Sequence, residues 1–147
     1  MLRKMVGIIS YFPDDVVVRT SRKHKLDKLL KQVNVIFKNI KVVIIAQNWT
    51  SEETFHYSSS FNDIFIFKYP KLGITGARET LRNMFLKTEI MDYVILIDDD
   101  IELIGTDGTE YLKQIDDNPD CLMEFTKSRH QLMAVSRYVY SRIGYDT

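Results

Sequence analysis

Three consecutive aspartates follow an apolar run in the segment YVILIDDDIEL, and their carboxylates are groups that could bind a metal ion. Asp98, Asp99 and Asp100 come directly after Ile97, without a spacer. Neighbouring carboxylates disfavour each other's ionisation, and a divalent cation relieves that repulsion. Carboxylate oxygens are ligands that Mg²⁺ and Mn²⁺ prefer. Because alternate side chains of an extended strand share a side, Asp98 and Asp100 are predicted to bind one ion, and Asp99 to face a sugar hydroxyl.

A divalent ion at such a place usually serves a phosphate group, and the sequence excludes several phosphate chemistries. It contains no Gly-rich loop ending in Lys-Ser or Lys-Thr, no GxGxxG after the first strand, and no Gly-x-Ser-x-Gly elbow. Phosphatases with an aspartate nucleophile carry Asp-x-Asp-x-Thr/Val, whereas Glu102 stands at the fifth position here and the motif follows the fourth predicted strand. The alternative interpretation is an acidic loop that ends a strand in solvent.

The elements that must position the triplet alternate between strands and helices. The predicted strands are Met5–Phe12, Lys41–Ala46, Ile64–Phe67, Tyr93–Ile97, Cys121–Phe125 and Leu132–Val135. The predicted helices are Lys23–Lys38, Ser51–Tyr57, one that has Thr75 as its N-cap and ends near Lys87, a short one at Tyr111–Ile115, and Ser136–Ile143 followed by Gly144. This alternation predicts an α/β fold in which helices sandwich a mainly parallel sheet.

Composition narrows the class of protein further. The 147 residues suit one domain, and 20 basic residues balance 20 acidic ones, which argues against nucleic acid as the partner. The single cysteine, Cys121, excludes an intramolecular disulfide, fits a reducing compartment and is expected in the core. No run approaches the roughly 18 apolar residues of a membrane span. We therefore expect a cytoplasmic protein, with peripheral association at a membrane left open.

An ordered set of motifs resembles the GT-A glycosyltransferases, particularly their large family 2. Gly73, Ala77 and Arg78 match the family's Gly-x-x-x-Ala-Arg helix start, and the strand that ends in Asp98–Asp100 follows them. Glu79 stands where the family usually has Asn. In that family these acids bind the metal and the nucleotide-sugar diphosphate.

Two further segments extend the resemblance over nearly the whole chain. The segment VVIIAQNWTSEE is similar to the family's second strand and acidic turn, with Gln47, Thr50 and Glu52 at its Asp, Ser and Asp positions. The late segment LMAVSRYVYSRIGYDT is similar to the acceptor-side strand and helix, and it ends in Gly144–Asp146. The resemblance therefore implies a single GT-A-like domain over residues 1–147.

The same resemblance implies a function and a site. It implies transfer of a sugar, with inversion, from a nucleoside-diphosphate sugar (a UDP-sugar first) to a glycan, lipid-linked or protein acceptor. Asp98 and Asp100 would hold Mn²⁺ or Mg²⁺. The residues expected to bind the nucleotide sugar are Ser10, Tyr11, Gln47, Gly73, Arg78, Asp98 and Asp99.

The catalytic base is not assigned by the sequence. In the family it usually follows the last motif, whereas this chain stops at Thr147, so Asp146 is only a weak candidate. The expectation is a domain truncated after the acceptor-side helix, or a minimal domain that works in a homo- or hetero-oligomer.

Two rival hypotheses stay open at this point. A nucleotidyltransferase also uses metal-binding acids on an α/β sheet, but its Gly-rich loop is absent from ISYFPDD after the first strand. A non-catalytic nucleotide-sugar-binding partner, or a truncated remnant of a glycosyltransferase, would account for the missing base.

Overall fold

A computed structural model describes residues 1–103, 107–125 and 132–142. The strands are β1 Lys4–Tyr11, β2 Lys41–Gln47, β3 Ile64–Tyr69, β4 Tyr93–Asp98, β5 Leu122–Glu124 and β6 Leu132–Ser136. The helices are α1 Val16–Ile36, α2 Ser51–Ser60, α3 Gly73–Thr88, α4 Thr109–Asp117 and α5 Arg137–Tyr140. Each of the predicted strands and helices is present, with shifts at several boundaries.

The six strands form one sheet in the order β3-β2-β1-β4-β6-β5. β1 pairs in parallel with both β2 and β4, and β2 pairs in parallel with β3. β6 runs antiparallel to β4 and to β5. The predicted mainly parallel α/β sheet is therefore confirmed, and β1 and β4 lie at its centre.

Helices cover both faces of the sheet. On one face the buried residues of α1 pack with Tyr57 of α2 and Ile115 of α4 against the sheet; the α1 residues are Leu26, Leu29, Leu30, Val33 and Ile36. On the other face Ala77, Leu81 and Phe85 of α3 form a second core with Tyr140 of α5. Within the described ranges, none of the helices combines the length and the apolar character that a bilayer crossing requires.

Helix α1 begins at Val16, seven positions before the predicted start. Asp15 caps it by accepting a hydrogen bond from the Val18 N–H (2.9 Å). The prediction was wrong because it followed the apolar spacing, and the first turns of the helix do not bury apolar residues. Val16 and Val17 are 76% and 79% exposed, so their presence in a helix leaves no periodic signal.

Helix α3 begins at Gly73, and Thr75 is not its N-cap. The residue before the helix is Leu72, which makes no side-chain cap; its N–H instead donates to the side-chain oxygen of Gln47 (2.9 Å). A contact from another strand thus replaces the local cap that the sequence predicted.

Two smaller expectations also change. Cys121 is half-buried and is not a core residue. The last helix is the short α5, capped by the Ser136 hydroxyl, which accepts from the Val139 N–H (3.1 Å). The predicted helix end at Ile143 and Gly144 lies outside the described residues.

The burial of α1 gives a first test. Leu29 is fully buried, so Leu29→Ala should lower the free energy of unfolding by ~2–5 kcal/mol. Lys28→Ala, one residue away, should cost less than about 1 kcal/mol, because Lys28 and its partner Glu102 are 62% and 59% exposed. Urea melts of the three proteins measure this. Equal losses in the two variants would contradict the packing of α1.

Candidate functional site

The candidate site lies where the strand order of the sheet reverses. From β1 the chain proceeds outward through β2 and β3, and then returns to place β4 on the other side of β1. Ligands of such α/β sheets bind outside the carboxyl ends of the strands at this switch point. Ile9 of β1 pairs with Asp98, the last residue of β4, so β1 extends two residues beyond the end of β4. Ser10 and Tyr11 therefore lie beside the aspartate triplet, and their predicted role in nucleotide binding stays a prediction.

The triplet does not continue the strand. β4 ends at Asp98, and Asp99 and Asp100 form a turn. The strand alternation from which Asp98 and Asp100 were predicted to share a side therefore stops at Asp98, and that geometric reason for their pairing is wrong. The three side chains also differ in exposure: Asp98 is 34% exposed and Asp99 only 12%, while Asp100 is an exposed residue.

Asp99 turns toward the end of β1. Its carboxylate accepts a long hydrogen bond from the Tyr11 N–H (3.4 Å) and lies 3.8 Å from Nη1 of Arg22 on α1. Burial raises the pKa of Asp99 to about 6, and the positive charge of Arg22 opposes that rise. The predicted contact between Asp99 and a sugar hydroxyl stays a prediction, and it has to be made from a mostly buried carboxylate.

Two more cations reach the same crevice from the β3–α3 side of the sheet. Nη2 of Arg78, in the second turn of α3, lies 3.8 Å from a carboxylate oxygen of Asp98. Nζ of Lys71, in the loop before α3, lies over the Tyr11 ring at 5.2 Å from its centroid. The predicted residues Tyr11, Arg78 and Asp98 are therefore brought to one place, and the aspartates have positive charge on both sides.

The predicted residues Ser10 and Gln47 are buried beneath this crevice. The Gln47 amide donates to the Ser10 carbonyl (3.3 Å) and accepts from the Leu72 N–H (2.9 Å). The Ser10 hydroxyl accepts from the indole N–H of Trp49 (3.3 Å). The side chain of Gln47 thus joins the end of β1 to the start of α3, at the position where the family resemblance places nucleotide recognition.

One arginine of α1 holds the loops around the crevice together. Arg19 donates to the carbonyls of Phe12 and Pro13 after β1 (both 3.1 Å) and of Asn48 after β2 (2.7 Å). Its remaining donors bind both carboxylate oxygens of Glu53 on α2. All five N–H groups of the guanidinium are used, so Arg19 is a structural cation and is not available to a ligand.

Glu53 carries the charge that balances Arg19. It is 7% exposed, accepts the Thr50 N–H (2.7 Å) in the capping box of α2, and forms an ion pair with Lys23. Burial alone would raise the pKa of Glu53, but the hydrogen bonds from Arg19, Lys23 and Thr50 lower it to about 2. The carboxylate is therefore ionised at neutral pH.

The donor set of the triplet fits a divalent cation only with help from a ligand. Within residues 1–103, 107–125 and 132–142, no three His, Cys, Asp or Glu side chains are arranged so that they could together hold one metal ion, and this includes the triplet. Mg²⁺ is usually bound by one or two carboxylates together with substrate phosphates and water. Asp98 and Asp100 are accessible enough to supply those carboxylates, and a diphosphate would have to complete the coordination shell.

Sequence reasoning missed three charged residues of the site, and one residue that it did propose lies outside the described part of the chain. Arg19 and Arg22 precede the predicted helix start, so nothing indicated that they face the strand ends. Lys71 was part of a loop with no recognised motif. A search for a helix cap would have found the earlier start of α1 at Asp15. Asp146 lies outside the described residues.

Comparisons with known proteins agree with this arrangement at the level of the fold. No family model matches the chain, and no curated protein matches it by sequence. The mannosyltransferase PcManGT from Pyrobaculum calidifontis, in complex with GDP-Man and Mn²⁺, has a TM-score of 0.67 and 14% identity, over 98% of this chain and 47% of that one. A cytidylyltransferase from Leptospira borgpetersenii has a TM-score of 0.63 and 11% identity, over 97% and 63%.

A third solved structure is similar over a smaller part of its length. TarS from S. aureus in complex with UDP has a TM-score of 0.59 and 14% identity, over 87% of this chain and 37% of that one. The present chain thus spans 63% or less of each of these three proteins. The likeness confirms the predicted GT-A fold.

The low pKa of Glu53 predicts a pH dependence of stability. A carboxyl group has a pKa of about 4.3 when unfolded, so its stabilisation is complete above that value and is lost as the pH falls toward 2. Glu53→Gln should therefore be less stable than the parent by about 3 kcal/mol at neutral pH, and this difference should shrink below about pH 4. Denaturant melts over this range measure it.

The exposed neighbour Glu52 supplies the control for this experiment. Glu52→Gln keeps the capping box and should follow the parent at every pH. A difference between Glu53→Gln and the parent that is independent of pH would contradict the electrostatic role of Glu53.

Gly73 and Gly76 form a matched pair in the first turn of α3. Gly73 has φ +78°, in the left-handed region that side chains rarely adopt, so Gly73→Ala should destabilise by about 1 kcal/mol. At Gly76 an added Cβ would meet only the Leu72 Cβ at 3.4 Å, so Gly76→Ala should be neutral or stabilising. Thermal melts distinguish the two, and equal effects would contradict the observed start of α3.

Proposed function

We propose that the protein is a glycosyltransferase of the family 2 type. It would transfer a sugar from a nucleoside-diphosphate sugar, with a UDP-sugar as the first candidate, to an acceptor hydroxyl. Inversion at the sugar is the stereochemistry that the family resemblance favours. The acceptor would be a glycan, a lipid-linked molecule or a protein.

A single observation carries the proposal. An acidic triplet ends the central strand β4 at the switch point of a GT-A sheet, and cations from α1 and α3 lie 3.8 Å from two of its carboxylates. An acidic loop that only ends a strand in solvent does not need a mostly buried member such as Asp99. The neighbours that carry GDP-Man with Mn²⁺, or UDP, support a nucleotide-sugar ligand.

Each residue of the site would have a distinct role. Asp98 and Asp100 would hold Mn²⁺ or Mg²⁺, and the chemistry that such an ion supplies is Lewis-acid stabilisation of the departing diphosphate. Arg78 would place a planar cation against a phosphate. The half-buried ring of Tyr11, with Lys71 over it, would lie against the nucleoside. Asp99 would orient the sugar or the ribose.

Gln47 and Gly73 would act by fixing the backbone at the start of α3. The Gln47 amide fixes the Leu72 N–H, and Gly73 starts α3 with a conformation that other residues avoid. Together they would set the approach of the loop before α3 to the nucleotide. Ser10, whose carbonyl and hydroxyl are both engaged, would support the floor of the pocket.

A nucleotidyltransferase is the second candidate, because a cytidylyltransferase shares the fold at a TM-score of 0.63. It would use the same acids with a nucleoside triphosphate. The absence of a Gly-rich loop in the segment after β1 disfavours it, since such loops cradle the triphosphate with backbone N–H groups. A non-catalytic nucleotide-sugar-binding partner would bind the same ligand as the glycosyltransferase without turnover.

Calorimetry with UDP and with GDP, in the presence and absence of Mn²⁺, tests the proposal. We expect binding of one of them to depend on Mn²⁺ and to be lost in Asp98→Asn and Asp100→Asn. Asp14→Asn, a nearby exposed carboxylate, should bind like the parent. Slow hydrolysis of the matching nucleotide sugar would distinguish the enzyme from the non-catalytic partner.

Three results would count against the glycosyltransferase. Nucleotide binding without any dependence on Mn²⁺ would remove the metal role of the triplet. Parent-like binding by Asp98→Asn and Asp100→Asn would leave the triplet as a solvated strand end. Pyrophosphate release from CTP or UTP, with no turnover of a nucleotide sugar, would favour the nucleotidyltransferase.

A further inference from the structure

Two arginines beside the aspartates differ from every other arginine that the structure describes. Arg22 and Arg78 are 37% and 27% exposed, and neither donates a hydrogen bond to any residue within 1–103, 107–125 and 132–142. The other described arginines each donate at least one; these are Arg3, Arg19, Arg82, Arg137 and Arg142. A guanidinium has five N–H donors, so each of these two arginines can offer donors to water or to a ligand without breaking a hydrogen bond to the described residues.

The two arginines come from opposite faces of the sheet. Arg22 belongs to α1, which packs on one face, and Arg78 belongs to α3, which packs on the other. Each lies 3.8 Å from one carboxylate, Arg22 from Asp99 and Arg78 from Asp98. At this distance the charges attract, but the hydrogen bonds of a closed arginine–carboxylate pair are not formed.

We propose that Arg22 and Arg78 form a two-sided diphosphate clamp that is held by the aspartates while no ligand is present. The inference rests on the proposed function and adds Arg22, which no sequence motif assigned to the site. The oxygens of a phosphate can accept two parallel hydrogen bonds from one guanidinium. The carboxylates of Asp98 and Asp99 accept no such pair of bonds from Arg78 and Arg22. A diphosphate between the two arginines would therefore use donors that are not engaged by hydrogen bonds within the described part of the chain.

The clamp has a consequence for the metal. Without a diphosphate, both guanidinium charges lie beside the aspartates and oppose the binding of a cation there. When a diphosphate draws the arginines away, the positive charge that opposes a metal at Asp98 is reduced. The arginines should thus weaken the binding of Mn²⁺ alone and strengthen the binding of diphosphate. An arginine that merely stabilises the fold would not have these two opposite effects.

Inorganic pyrophosphate and Mn²⁺ are the probes, because they test the clamp whichever nucleoside the protein prefers. Calorimetry should show that Arg22→Gln and Arg78→Gln each bind pyrophosphate about tenfold more weakly than the parent, since each loses charge-assisted hydrogen bonds. Mn²⁺ alone should bind Arg78→Gln about fivefold more tightly than the parent, and Arg22→Gln should change in the same direction.

Lys25→Gln is the matched control, since it removes one positive charge from an exposed position on α1. It should bind both probes like the parent. Arg22→Lys keeps the charge and loses the planar guanidinium, so it should bind pyrophosphate more weakly than the parent. This variant replaces Arg22→Gln in the test if Arg22→Gln does not fold. Thermal melts establish that each variant is folded.

The outcomes separate this inference from the function on which it rests. Pyrophosphate binding by Arg22→Gln equal to that of Lys25→Gln would overturn the clamp, even if the protein binds a nucleotide with Mn²⁺. Failure of the parent to bind pyrophosphate with Mn²⁺ would overturn it as well. Weaker pyrophosphate binding in both arginine variants, in a protein that binds no UDP or GDP, would support the clamp and contradict the glycosyltransferase.

Discussion

The repulsion among three consecutive carboxylates is the constraint on which the site depends. Water would screen them at a fully exposed strand end, but here Asp99 is 12% exposed and lies against the end of β1. The fold compensates with guanidinium groups 3.8 Å from Asp98 and Asp99, brought by two helices on opposite faces of the sheet. The negative charge of the triplet is therefore partly balanced by residues that are themselves suited to bind phosphate.

A second ionic contact keeps this arrangement in place. Arg19 fixes the loops that follow β1 and β2, and Glu53 neutralises it from the first turn of α2. Because Arg19 and Arg22 are three residues apart on α1, the contact that anchors the helix also sets where Arg22 lies. Arg19 is saturated by the protein, whereas Arg22 donates no hydrogen bond to the residues that the structure describes. The same helix therefore provides support and, in our proposal, a group that binds the ligand.

The alternation of strands and helices predicted the fold, because buried apolar runs dominate both kinds of element. The same signal misplaced the start of α1, where the valines after Asp15 are exposed and leave no apolar period. It also placed the N-cap of α3 at Thr75, because the contact from Gln47 to Leu72 joins residues far apart in sequence. Local patterns hold no information about such contacts.

The candidate site was predictable only where it depends on the ends of the strands. Ser10, Tyr11 and the triplet follow strands, and the switch-point rule brings strand ends together. The pairing of Asp98 with Asp100 assumed an extended backbone, whereas the chain turns at Asp99. The most direct test of the account is the anomalous signal of manganese in crystals grown with UDP and Mn²⁺. The account predicts a peak within coordination distance of Asp98 or Asp100, beside the diphosphate, and a nucleotide bound elsewhere with no metal at the triplet would contradict it.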